Sequence, residues 1–286
     1  MTTLSNYVAK IGRSNPHLKK LIMPLSNLCR KQKKSAMAIS GFDYSLNTSD
    51  LIQSQMFYLG MFDKKGVDLI CNICKKIQCR VALDIGGNVG NHAIHLSDVC
   101  EQVISFEPNE SSGNVFKGAL SSKESNITLH NFGLSNKSEM LEFFEDSNNL
   151  GRSSFVREHI EKNKFHAKKT LEVKHGDDFI TTNKISEIDF IKIDVEGFEF
   201  QVITGLKNTI IQNQPIIDFE FNTVTRNAFK SLHTLKESLP KYSFIGTHRK
   251  GFGILTEKLI MTDFNFESDY AHVIAIPERF NTEFDI

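Results

Sequence analysis

The sequence predicts an α/β fold built on a mostly parallel sheet. From Arg80 onward, short runs rich in Val, Ile and Phe alternate with amphipathic stretches of about ten to fifteen residues, the pattern of repeated βα units. Those runs are almost continuously apolar, as strands covered on both faces must be. The first run also ends in a glycine-rich turn, Asp84-Ile85-Gly86-Gly87-Asn88-Val89-Gly90, that opens a helix.

Taken in order, parallel strands are expected over residues 80–85, 102–106, 127–131, 188–193 and 216–221. Helices are expected over 90–99, 111–121, 198–213 and 225–239, with two final strands at 242–246 and 271–276 pairing as a hairpin-like unit that adds an antiparallel strand. Between the third and fourth parallel strands lies an insertion at about 139–170, strand-like over 140–144 and then polar, of the kind that serves as a lid or binding loop. Upstream, residues 67–77 read as a helix, and Leu18, Leu21, Ile22, Leu25 and Leu28 recur at near-helical spacing among basic residues. The expected division is a helical, basic N-terminal extension, residues 1–78, and a catalytic domain, residues 79–286.

Charge narrows the function classes. The 34 Lys and Arg balance 34 Asp and Glu, so the chain as a whole is no polyanion binder, and nucleic acid is not an expected partner. No acid occurs before Asp43, while Lys10, Arg13, Lys19, Lys20, Arg30, Lys31, Lys33 and Lys34 make the start basic. Such a segment packs on the main domain or touches an acidic membrane surface. No apolar run approaches the ~18 residues of a membrane span, and five cysteines, an odd number, suit a reducing compartment. A cytoplasmic location is expected. Cys71 and Cys74 have C-x-x-C spacing within the 67–77 helix, but the second pair of a zinc site has no recognised spacing here, so buried apolar packing is the favoured reading.

The turn after the first strand carries the strongest chemical signal. A dinucleotide fold would show G-x-G-x-x-G facing a pyrophosphate, whereas Asn88 and Asn91 stand at the second and third glycine positions. The ligand favoured is one without bridging phosphates. Glu107, in Phe106-Glu107-Pro108-Asn109, follows the glycines by about twenty residues, where an acid accepts both ribose hydroxyls; as an alternative it caps the next helix. Asp194, in Lys192-Ile193-Asp194-Val195-Glu196-Gly197-Phe198-Glu199, ends the fourth strand and should face the same crevice, while Glu196 and Glu199 could simply be first-turn acids. Glu220 and Asn222 alternate at the end of the fifth strand and, with Asp194, form a candidate Mg²⁺ set or a hydrogen-bonding shell for a sugar.

In this order and spacing the three motifs resemble the FkbM family of methyltransferases, with Gly133-Leu134-Ser135 as a further match; the resemblance covers roughly residues 57–222. It implies a Rossmann-like class I methyltransferase fold, S-adenosylmethionine as methyl donor and O-methylation of a glycan or other small secondary metabolite. It also implies donor-binding residues within the matched motifs: Asp84, Gly86, Asn88 and Gly90 toward the methionine end, Glu107 with Asn109 toward the ribose, and the 131–133 turn, with Asn131 and Phe132, near adenine. His175-Gly176-Asp177 stands where the family commonly shows Thr-Leu-Asp. Methyl transfer to a hydroxyl needs a positioned oxygen and a base or metal, and Asp194, Glu220 and His248 are the candidates. The competing readings are a methyltransferase-like module that binds without catalysis and a nicotinamide-dependent oxidoreductase.

Overall fold

The computed structural model describes residues 9–11, 35–146, 149–160, 167–250 and 258–284. They begin with Ala9–Ile11, a helical fragment, and continue through β1 (Ser35–Ile39), β2 (Phe42–Leu46), α1 (Leu51–Leu59), α2 (Lys64–Lys76), β3 (Val81–Ile85), α3 (Ala93–Leu96), β4 (Gln102–Phe106) and α4 (Glu110–Leu120). Next come β5 (Ile127–His130), β6 (Gly133–Ser135), β7 (Glu139–Glu145), a 3-10 turn at Leu150–Arg152, α5 (Arg157–Ile160), β8 (Ala167–His175) and α6 (Gly176–Thr182). Then follow β9 (Ile188–Ile193), α7 (Glu199–Gly205), α8 (Lys207–Asn213), β10 (Ile216–Phe221), α9 (Thr223–Phe229) and α10 (Leu232–Ser238). Last are β11 (Tyr242–Lys250), β12 (Lys258–Asp263), β13 (Tyr270–Pro277) and α11 (Asn281–Phe284).

Eight strands form the main sheet in the order β12-β11-β13-β10-β9-β3-β4-β5. β10, β9, β3, β4 and β5 run parallel, while β13 is antiparallel to both β10 and β11. This is the Rossmann-like, mostly parallel α/β sheet with a C-terminal antiparallel strand that the sequence predicts. Strand order reverses between β3 and β9, so the crevice beyond their carboxyl ends is where such a sheet takes its ligand. Every residue of β3 and β9 is buried, and alternate residues feed two cores. Ala82, Val103 and Phe190 join one; Leu83, Ile104 and Ile191 join the other.

Several local features differ from the expectation. The helix expected over 225–239 breaks at Lys230 (φ 67°) into α9 and α10, that expected over 90–99 is the short α3, and β12 is a strand beyond those expected. Residues 35–46 form the β1–β2 hairpin instead of a helix, and its Ile39, Phe42, Tyr44 and Leu46 share a core with Val89, Ala93 and Phe116 of the sheet's helical cover. Packing therefore runs unbroken across position 79. The segment holding Leu18 to Leu28 lies outside the described residues. The helix expected over 198–213 divides at Leu206, because Asp177 receives the backbone N–H of Asn208 and Thr209 (2.9 and 2.8 Å) and caps a separate α8. The insertion is more ordered than its composition suggests: β7 pairs antiparallel with β8, and β6 joins them as a second, three-stranded sheet. Among the described residues no helix is long and apolar enough to cross a membrane.

Candidate active site

The glycine turn leaves β3 at the reversal of strand order. Both Gly86 and Gly87 donate backbone hydrogen bonds to the Phe106 carbonyl (3.0 and 3.1 Å), while Asp194 donates its N–H to the Ile85 carbonyl (2.9 Å). Gly86 adopts φ 86°, and a Cβ there would fall 1.9 Å from the Asp194 carbonyl oxygen, so only glycine lets the two strand ends meet this closely.

Glu107 spans the turn. Its Oε2 accepts the N–H of Asn88 and its Oε1 that of Asn109, each at 2.7 Å. Burial pushes its carboxyl up to about 7; the two backbone hydrogen bonds oppose the shift, and Asp84 and Asp194 add to it. Asn109 also caps α4 through Ser111 N–H. Asp84 is fully buried: Ser105 Oγ donates to its Oδ2 at 3.0 Å, and its Oδ1 has no hydrogen-bond partner. It supports the turn from below and does not line the cavities.

Three cavities with shared walls open above the turn. The largest, about 250 Å³, is lined in part by Leu51, Phe62, Gly86, Asn88, His92 and Asp194. A neck of about 50 Å³ reaches Glu107 and Pro108, roofed by Phe143, Leu150 and Phe155 of the inserted segment. A third, about 180 Å³, carries Asp63, His92, Lys192, Asp194, Glu220 and His272. Glu196 lines all three.

Ion pairing organises the acidic end. Lys192, 2 % exposed, sits in register between Asp84 on β3 and Asp218 on β10, and its Nζ meets Asp194 Oδ2 at 3.0 Å. Burial alone would raise the Asp194 carboxyl; the Lys192 ammonium, with the His272 imidazolium, outweighs it and holds Asp194 below the usual carboxylate range. His272 lies between Asp218 (3.0 Å from Nδ1) and Asp63 (3.2 Å from Nε2). Burial opposes its charge, yet these two carboxylates lift it to about 10 and keep it an imidazolium. Glu196 and Glu220 are both pushed well above the ordinary range, first by burial and then by neighbouring carboxylates. Glu196 takes φ 54°, and its carbonyl accepts Ser154 Oγ from the insertion at 2.7 Å.

Asp194, Glu196 and Glu220 bring one carboxylate oxygen each to within 4.8 Å of one another. Other expected residues lie elsewhere. Asn222 is the N-cap of α9, its Oδ1 accepting Val224 and Thr225 N–H (2.8 and 3.1 Å), so the acidic set contains Glu196 in its place. His248 lies on β11 in register with Ile260, its ring 4.5 Å from that of Tyr270, and lines none of the three cavities. Gly90 (φ 87°) backs the Phe116 ring, and Phe132 packs among Phe106, His130 and Phe179; neither it nor exposed Asn131 lines any of these three cavities. Glu199 is a latch, accepting the Val195 and Gly197 N–H groups and the Thr225 hydroxyl.

Sequence reasoning missed His92, Asn91 and Asp63. His92 lines two cavities, its Nε2 has no hydrogen-bond partner, and burial followed by the Lys192 charge holds it well below its ordinary pKa, hence neutral. Asn91 exchanges hydrogen bonds with the backbone of Phe62 (2.9 and 3.1 Å) and so brings the α1–α2 connection to the site. His92 and Asn91 directly follow the glycine motif, a signal within reach; Asp63 had none.

The model of the methyltransferase FkbM domain matches residues 84–248, more than half the chain. The chain belongs to this family. This FkbM-family chain is 26% identical over 135 residues to hexuronic acid methyltransferase AglP of Haloferax volcanii, covering 46% of itself and 51% of that protein. It thus spans about half the length of the curated relative it matches. Among solved structures, the FkbM methyltransferase of Methylobacillus flagellatus aligns at 15% identity and TM-score 0.45, over 69% of this chain and 43% of that one. The O-methyltransferase TomG of Streptomyces achromogenes, solved with S-adenosylmethionine, aligns at 9% identity and TM-score 0.43, over 76% and 81%.

Proposed function

We propose that the protein transfers a methyl group from S-adenosylmethionine to a hydroxyl oxygen of a sugar-like acceptor. The observation that carries this reading is that the three cavities at the Gly86–Asn88 turn, at Glu107 and at the acidic cluster share Asp194 and Glu196 as walls, and together form the trough. The turn suits the amino-acid end of such a donor, with Asn88 offering a buried Oδ1 that lacks a hydrogen-bond partner. Glu107 already binds two N–H groups, but each carboxylate oxygen has a second lone pair for a ribose hydroxyl. The donor supplies an electrophilic methyl, so the chain's own work is to position and deprotonate the acceptor.

That work falls to the 180 Å³ cavity, whose lining sets Asp63, Lys192, Asp194, Glu196, Glu220 and His272 beside the Phe62 ring. Carboxylates accept from several hydroxyls at once, which favours a polyhydroxylated acceptor, and the AglP relative acts on a hexuronic acid by name. In this reading Asp194, kept ionised by Lys192, orients the hydroxyl. Glu220, which binds a proton more tightly, takes its proton once ionised. The magnesium variant keeps Asp194 and Glu220 and substitutes Glu196 for Asn222. A reducing, cytoplasmic setting fits the free thiols of Cys71, Cys74, Cys79 and Cys100.

The test is calorimetric titration with S-adenosylhomocysteine and NAD, each with and without Mg²⁺, followed by a methyl-transfer screen of uronic-acid-bearing glycans. Donor-product binding without methyl transfer to any acceptor would favour the non-catalytic module; enhancement by Mg²⁺ would favour the metal variant.

A further inference from the structure

Away from the active site, at the amino ends of β3 and β4, three cysteines converge from separate stretches of chain, with a fourth nearby. Cys71 and Cys74 stand one turn apart on α2. Gln78, at φ 52°, reverses the chain after the helix, and Cys79 N–H returns to the Cys74 carbonyl at 2.9 Å. Cys100 precedes β4, and the next residue, Glu101, donates to the Cys79 carbonyl at 3.3 Å. The Sγ atoms of Cys74, Cys79 and Cys100 all lie within 4.8 Å of one another, at 0%, 2% and 7% exposure. Half-buried Cys71 stands one turn before Cys74 on the same helix.

We propose that Cys74, Cys79 and Cys100 form a structural site for a thiophilic divalent cation of the zinc class, with Cys71, outside the 4.8 Å set but one turn away on α2, turning in as fourth ligand. Metal–sulfur bonds of ~2.3 Å in a tetrahedron set the sulfurs ~3.8 Å apart, a contraction of about 1 Å from the observed limit. Soft thiolates select zinc-like ions over Mg²⁺ or Ca²⁺, and burial closes the site as structural zinc requires. A disulfide would use two of the converging sulfurs, leave the third buried and need an oxidant; cation binding uses all three. Each metal–sulfur bond replaces an S–H bond, so four bonds release four protons and no electrons change hands. The C-x-x-C spacing shows half the set, and the fold supplies the other half through residues 5 and 26 positions after Cys74.

The experiment uses the full chain, reduced and stripped with chelator, titrated with Co²⁺ alone and then Zn²⁺ alone. The expected result is a thiolate-to-cobalt charge-transfer band saturating at one equivalent, bleached by one equivalent of Zn²⁺, and absent in Cys100→Ser. If Cys100→Ser fails to fold by circular dichroism, alkylation of the wild type decides: Zn²⁺ must protect Cys74, Cys79 and Cys100 together. No band from the folded, reduced protein, a band that survives in Cys100→Ser, or thiols that Zn²⁺ leaves equally reactive would overturn the site. S-adenosylhomocysteine affinity is measured in parallel and bears only on the methyl-donor reading.

Discussion

Glu107 is the residue whose chemistry is most exposed to test. Its carboxyl is raised to about 7, so the folded protein holds a proton there that the unfolded chain releases near the ordinary carboxylate value. The stability linked to that proton is fully present below the unfolded pKa and is lost as pH rises through about 7. Donor binding runs the other way, because ribose hydroxyls need the ionised acceptor. Between pH 6 and 8, affinity for S-adenosylhomocysteine is expected to rise by about tenfold, with a flat, weaker profile in Glu107→Gln; calorimetry across that range checks both. Asp194→Asn is expected to reduce turnover on an identified acceptor more than donor affinity, since the substitution removes the ionised group that orients the acceptor hydroxyl and leaves the Gly86–Asn88 turn and Glu107 in place; steady-state kinetics beside calorimetry separates the two. At this scale the sequence was informative where motif and backbone coincide: Gly86, Glu107 and Asp194 meet as expected. It misled at Asn222 and His248, because alternation along a strand assigns a face but says nothing of a capping bond two residues on, nor of how far β11 lies from the reversal between β3 and β9.

Elements explain how the site is covered. Asp50 caps α1 through Oδ1 to Gln53 N–H (2.9 Å) and holds the insertion through Oδ2 to Leu150 N–H (2.8 Å). One buried carboxylate therefore joins the N-terminal segment to the roof over Glu107. Asp50→Ala is expected to cost about 1 kcal/mol from the cap, and also to weaken S-adenosylhomocysteine binding; denaturant melts and calorimetry read the two effects separately. Asn222→Ala should cost a similar ~1 kcal/mol while leaving donor binding and any Mg²⁺ response intact, as befits a helix cap. Neither cap reaching across the fold, Asp50 to the insertion or Asp177 to α8, was legible in sequence, because each pairs residues far apart in the chain. Strands were legible in the parallel part, most plainly β3, β4, β9 and β10, whose covered faces demand largely apolar runs; β5, with no buried residue, is the exception to that burial.

Among the described residues, packing crosses the boundary expected near position 79. Phe42, fully buried on the β2 strand, shares a core with Val89 beside the glycine turn, and the Tyr44 hydroxyl donates to the Val89 carbonyl at 3.0 Å. Phe42→Ala is expected to destabilise the entire protein by about 3–5 kcal/mol in a single transition. A separate early transition, with the main domain melting unchanged, would mean that the hairpin is an independent appendage. The basic start of the sequence hid this hairpin, since charge and amphipathic spacing drew attention to a helix while the alternation over 42–46 is short. The central claim is that the trough from the glycine turn to the acidic cluster takes a methyl donor. The most direct measurement is calorimetric titration of the purified chain with S-adenosylhomocysteine and, separately, with NAD. Selective binding of S-adenosylhomocysteine, weakened in Glu107→Gln, is the predicted result; no binding, or a preference for NAD, would contradict it.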